Sequence, residues 1–118
     1  TPPKIIADFY LIDGSGSMAG GKWRKWTNAI AYWKPRRSRV FVAYTGYIPY
    51  GARLNQINPS GGTEIYFALW TLLDRMQPGQ TLVVISDFRA SVALSSRELQ
   101  RIEQKIREKQ VKVSHVRL

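Results

Sequence analysis

The sequence predicts an α/β domain built on an open, mainly parallel sheet with helices on both faces. Two observations carry this. The strand-length segments are apolar throughout rather than alternating, as in strands buried on both sides, and segments of helical period separate them. A third observation concerns function: acidic and hydroxyl residues follow directly on two of these strands, at the carboxyl ends where open α/β sheets bind ligands.

Lys4 to Ile12 (KIIADFYLI) is a nearly continuous apolar, aromatic and β-branched run and reads as the first strand. It stops at Asp13-Gly14-Ser15-Gly16-Ser17, where two glycines let the backbone turn and approach a ligand while the aspartate and serines supply oxygen atoms. Trp23, Trp26, Ile30 and Trp33 then recur at spacings of three, four and three, which lines them along one face of a helix from Lys22 to about Trp33, ended by Pro35. Ser38 to Thr45 (SRVFVAYT) reads as the second strand. Gly46 to Gly62, rich in Gly and Pro, is expected to be a loop, with room for one short antiparallel edge strand around Ala52 to Ile57.

Thr63 to Met76 places Ile65, Leu69, Leu72, Leu73 and Met76 on a helical stripe, closed by Pro78-Gly79. Thr81 to Ser86 (TLVVIS) is the third central strand and meets Asp87 at its end. Ser95 followed by Glu98 has the pattern of a capping box, and Leu99, Ile102 and Ile106 mark a helix to about Lys109. Val111 to Leu118 is the last strand. Residues 1–118 are of single-domain size, with no internal repeat.

Hydrophobic residues make up 44% of the chain and charged residues 22%, the balance of a folded globular protein. Eighteen Lys and Arg against eight Asp and Glu give a formal charge of +10, which speeds encounters with anionic partners without naming them. Cysteine is absent, which excludes disulfides, thiolate metal sites and a cysteine nucleophile. It leaves the compartment open, leaning slightly toward an intracellular one. The longest apolar runs fall far short of the roughly 20 residues that span a bilayer. The chain begins Thr1-Pro2-Pro3 with no initiator Met and no charged-then-apolar leader, the expectation for a processed product or an excised fragment.

Asp13, Ser15 and Ser17, at alternate loop positions, can turn three oxygen-bearing side chains toward one point, as a small hard cation such as Mg²⁺ requires. Gly61-Gly62-Thr63-Glu64 at a helix start and Ser86-Asp87 at a strand end add to them. In this pattern the sequence resembles the von Willebrand factor A family, whose metal-ion-dependent adhesion site is written Asp-x-Ser-x-Ser, then a distant Thr, then a distant Asp. The matching residues are Asp13-Gly14-Ser15-Gly16-Ser17, Thr63 and Asp87, with Asp8 five residues before Asp13 and Met18 closing the loop. They cover most of the chain in the family's order.

The resemblance implies a Rossmann-like sheet and a site for Mg²⁺, with Mn²⁺ or Ca²⁺ as alternatives. It also implies that the hydroxyls of Ser15, Ser17 and Thr63 coordinate the ion while Asp13 and Asp87 hold its waters and orient those hydroxyls. A coordination position left open would accept an Asp or Glu carboxylate of a protein partner. Full members have more strands and a final helix that couples to the metal loop. This chain stops at Leu118, so such switching is not expected of it alone.

Each of these residues also has an ordinary use. Asp13 can cap the next helix, Ser15 and Ser17 can be turn residues, Thr63 an N-cap, and Asp87 a loop carboxylate bonded to backbone N–H groups.

Two other functions are open on the sequence. Gly16 to Lys22 satisfies the G-x-x-x-x-G-K part of a phosphate-binding loop between a strand and a helix, which suggests an ATPase. The next residue, however, is Trp23, where such loops need Ser or Thr. Between Lys22 and Arg39, Lys22, Arg24, Lys25, Lys34, Arg36, Arg37 and Arg39 form a basic run without an acidic residue. Of these, Lys22, Arg24, Lys25, Arg36 and Arg37 are candidates for contacting a nucleic acid or an acidic protein. The same run also suits a solvated helix face over buried tryptophans. Catalysis is not expected, because the sole histidine, His115, lies in the last strand far from any loop serine, leaving no base to activate one.

Overall fold

The computed structural model describes residues 2–36, 39–43, 59, 65–87 and 94–118. Along the chain these form strand β1 (Phe9–Asp13), a 3-10 turn (Gly16–Met18), helix α1 (Gly21–Trp33), β2 (Val40–Ala43), α2 (Ile65–Arg75), β3 (Thr81–Ser86), α3 (Ser96–Lys109) and β4 (Lys112–Arg117). The strands make one sheet in the order β2-β1-β3-β4, and every neighbouring pair is parallel. The α/β class expected from the apolar strands is therefore observed. The antiparallel edge strand expected at Ala52 to Ile57 lies outside the described residues.

From β1 the chain moves outward through α1 to β2, then returns past β1 to β3 on the other side. Strand order reverses at that point, between β1 and β3, the place at whose carboxyl ends open α/β sheets bind ligands. The register sets Phe9 beside Leu82 and Ile12 beside Ile85. Asp13 and Ser86, each the last residue of its strand, thus lie side by side at the carboxyl edge of the sheet.

Alternation along the strands sends side chains to two cores. Phe9, Leu11, Phe41, Leu82 and Val84 pack under α2 and α3 with Leu69, Leu72, Leu73, Met76 and Ile102. Tyr10, Ile12, Val40, Val42, Val83 and Ile85 pack under α1 with Trp23, Trp26, Ile30 and Trp33. Burying each large apolar side chain contributes about 1.5–3 kcal/mol, so the helices are held chiefly by these faces. The three tryptophans of α1 are core residues, as their spacing allowed, and Trp26 meets Trp33 edge-on at 6.3 Å. Ser95 and Glu98 form the expected capping box at the start of α3.

The first strand is shorter at its amino end than its composition suggested. Lys4 to Asp8 run ahead of β1 without belonging to it; Ile5 and Ala7 lean on the second core, while Ile6 is exposed to solvent. Asp8 is bonded to Thr81 at the foot of β3. Apolar composition cannot separate a strand from a segment that merely packs beside one. Among the described residues no helix is long and apolar enough to cross a membrane.

Candidate functional site at the sheet switch point

The site is built on Asp13. Its carboxylate is wholly buried and accepts two bonds, from the backbone N–H of Ser15 to Oδ1 at 2.8 Å and from the Ser86 hydroxyl to Oδ2 at 2.6 Å. The first bond is a local turn in which an aspartate accepts from the residue two positions on. The second ties β1 to β3. With one neutral donor on each oxygen, Asp13 keeps lone pairs for a further donor, such as a water.

Above it, Gly14 N–H bonds Ala43 carbonyl at 2.9 Å and continues the β1–β2 pairing by one residue, so the chain leaves the sheet at Ser15. The loop closes as a single 3-10 turn, with Met18 N–H on Ser15 carbonyl and Met18 buried beneath it. This compact turn brings Ser15 Oγ and Ser17 Oγ to 3.1 Å from each other. Gly20, at φ 88°, then turns the chain into α1, a conformation that a β-carbon would strain.

Lys22 lies in the first turn of α1 and reaches back over the loop. Its Nζ donates to Ser17 carbonyl at 3.1 Å and to Asp87 Oδ2 at 3.0 Å. The Asp87 side chain is only 2% exposed and that of Lys22 36%, so the pair is closed on the side of the acid and partly open on the side of the lysine. Asp13, Ser15, Ser17, Lys22, Ser86 and Asp87 therefore form one connected constellation. Thr63 and Arg37, both singled out from the sequence, lie outside the described residues.

The donor chemistry can be weighed against a small dication. Cis ligands of an octahedral ion with metal–oxygen distances of about 2.1 Å stand about 3.0 Å apart, and at the about 2.4 Å typical of Ca²⁺ they stand about 3.4 Å apart. The Ser15–Ser17 separation of 3.1 Å lies nearer the Mg²⁺ value. The same separation suits a hydrogen bond between the two hydroxyls, so it is compatible with an ion without requiring one. Among the described residues no group of three or more His, Asp or Glu side chains is arranged to hold a metal. Any ion here would rely on hydroxyls, with two carboxylates behind them. In that sense the residues fit a hard cation, with Thr63 still to be added.

Two residues stand differently from their sequence grouping. Lys22 was grouped with the exposed basic run, yet it is engaged in the site, whereas Arg24, Lys25 and Arg36 are exposed. Ser86 stands in the sequence only as the neighbour of Asp87, and among the described residues its hydroxyl ties the two central strands together at this end. Its position just before Asp87 at the end of an apolar strand was the available signal. The residue after Lys22, Trp23, is buried in the core under α1, so no hydroxyl is offered where a phosphate-binding loop needs one.

Comparison with protein-family models, with curated protein sequences and with solved structures gives no match.

Proposed function

We propose that this chain is a divalent-cation-dependent protein-binding module that captures an Asp or Glu side chain of a partner, and that it binds rather than catalyses. The observation that carries the reading is the pair of loop hydroxyls, 3.1 Å apart, standing over the buried Asp13 at the sheet's switch point. Ser15 and Ser17, with Thr63, would hold Mg²⁺ (or Mn²⁺ or Ca²⁺), and Asp13 and Asp87 would accept from its waters. Such an ion, bound mainly by neutral hydroxyls, supplies an electrophilic coordination position for a carboxylate. Asp13 orients the loop through Ser15 N–H, and the buried strand ends exclude bulk water from beneath it. The likeness to the von Willebrand factor A pattern supports the same assignment, and the charge of +10 favours approach of an acidic partner.

The test is calorimetric titration of Mg²⁺ and Mn²⁺ into the wild type and into Ser15→Ala/Ser17→Ala, followed by partner capture with and without EDTA. Saturable binding by the wild type, lost in the double variant, is expected. Equal binding by both, or by neither, would sink the reading.

One observation favours a second reading as a nucleic-acid-binding module. On the outer side of α1, Arg24, Lys25 and Asn28 are exposed together with Tyr32, which is 77% open to solvent, and basic side chains beside an open aromatic ring suit single-stranded nucleic acid. Binding to an oligonucleotide that falls steeply with salt and is lost in Lys25→Glu/Tyr32→Ala would establish it. A nucleotide-hydrolysing reading is disfavoured by Trp23 standing where a phosphate-binding loop has Ser or Thr.

A further inference from the structure

Lys22 is the one residue of the constellation that no oxygen-donor site for a cation calls for. Its ammonium lies 3.0 Å from Asp87 Oδ2 and 3.1 Å from the carbonyl of Ser17, one of the two loop serines. Both acceptors are oxygens of the kind that a hard cation or its waters would draw on. The lysine stem starts in the first turn of α1, which is anchored by the buried Trp23 and Trp26, so the amine is held near the site by the fold. The Lys22 side chain is partly open to solvent, which gives the amine somewhere to go.

We propose that Lys22 is a tethered cation that sets the affinity of this site: it satisfies Asp87 and the Ser17 carbonyl in the ion-free protein and has to withdraw from Asp87 when a divalent ion is taken up. This rests on the divalent-cation reading above. Its physical basis is a shared need. Asp87 is almost fully buried, and a buried carboxylate without a cation or donors is costly. Lys22 contributes a cation toward that need at no entropic expense of recruiting an ion from solution. Uptake of a divalent ion then has to replace a contact already made and also to tolerate a like charge nearby. A second positive charge within several ångströms of a dication weakens binding by about tenfold even at the dielectric of water. The site would therefore answer only to divalent concentrations well above those that the same oxygen donors would bind without the lysine.

The experiment is Mn²⁺ titration, read by electron paramagnetic resonance, of the wild type and of Lys22→Met, which keeps an apolar stem but removes the charge. Thermal unfolding in EDTA and in Mg²⁺ runs in parallel. Lys22→Met is expected to bind about tenfold more tightly, and its unfolding temperature is expected to be lower than that of the wild type in EDTA but to rise more on adding Mg²⁺. Binding by the wild type with unchanged or weaker binding by Lys22→Met overturns the proposal while leaving the cation reading intact. Absence of binding by both removes the cation reading and this proposal with it.

Should Lys22→Met fail to fold, the wild type itself decides. Lys22 acetylation, quantified by mass spectrometry after brief treatment with an acetylating reagent, is expected to rise several-fold from EDTA to saturating Mg²⁺, with Lys109 as the internal reference. An unchanged ratio in protein shown by titration to be loaded overturns the proposal.

Discussion

At the amino ends of β1 and β3, Asp8 accepts from the Thr81 backbone N–H at 2.9 Å and from its hydroxyl at 3.2 Å. At the carboxyl ends of the same two strands, Asp13 accepts from the Ser86 hydroxyl at 2.6 Å. Both clasps join residues 73 positions apart, and both pair an aspartate with a hydroxyl residue. Their surroundings differ. The Asp8 clasp is exposed to water and is doubled by Asp8 N–H bonding back to Thr81, so it behaves as a self-contained knot at the sheet's foot. The Asp13 clasp is buried, and its other oxygen reaches up to shape a loop. The difference teaches where chemistry can be placed: water has access to the clasp at one end and not at the other.

The largest expected effect follows from removing the buried clasp. Asp13→Ala takes away the acceptor of the Ser15 N–H and of the Ser86 hydroxyl together, in a region closed to water. A buried polar group that loses its partner costs about 1–3 kcal/mol, so the loss for the pair is expected at about 3 kcal/mol, measured by urea unfolding at equilibrium. Divalent binding should disappear with it. A loss below about 1 kcal/mol would mean that the carboxyl end is as tolerant as the amino end, and the contrast would fail.

Much of the fold and of the oxygen-bearing set was legible in the sequence, but neither clasp was. Apolar runs named β1, β2 and β3, and helical spacing put Trp23, Trp26 and Trp33 in the core, because period and burial are local properties of a sequence. Asp13, Ser15, Ser17 and Asp87 stood out as oxygen donors at strand ends. The start of β1 is not legible in composition, because Ile5 and Ile6 are apolar without being paired in the sheet. The link between Lys22 and Asp87 spans 65 positions and depends on how far a flexible amine can reach over a loop. No local pattern encodes that distance, and the only hint was a partial phosphate-loop motif that pointed to a different use for the same lysine.

A middle-sized effect separates the two aspartates of the site. Asp87→Asn keeps the shape and removes the charge that Lys22 faces. Because Lys22 is partly exposed and can be solvated, stability should fall by no more than about 1 kcal/mol. Divalent affinity should nevertheless drop by an order of magnitude or more, since a carboxylate accepts from metal-bound water far better than an amide. Isothermal calorimetry alongside urea unfolding separates the two consequences. Comparable losses in both would make Asp87 a structural residue and move the weight of the site onto the loop serines and Asp13.

The smallest effect is expected at the other clasp and gives the comparison its control. Asp8→Ala removes one acceptor, but the Thr81 N–H and hydroxyl it leaves are at a solvated edge where water can replace it. The backbone bond from Asp8 N–H to the Thr81 carbonyl, 3.1 Å long, needs no side chain and should persist. Urea unfolding is therefore expected to show a loss within about 1 kcal/mol, the usual range for an exposed polar contact. Mg²⁺ titration should be unchanged, because Asp8 lies a full strand length from the loop. An Asp8 variant that bound Mg²⁺ more weakly would show that the two ends communicate through β1 itself. The site would then depend on the alignment of the whole strand pair and not only on the residues at its carboxyl end.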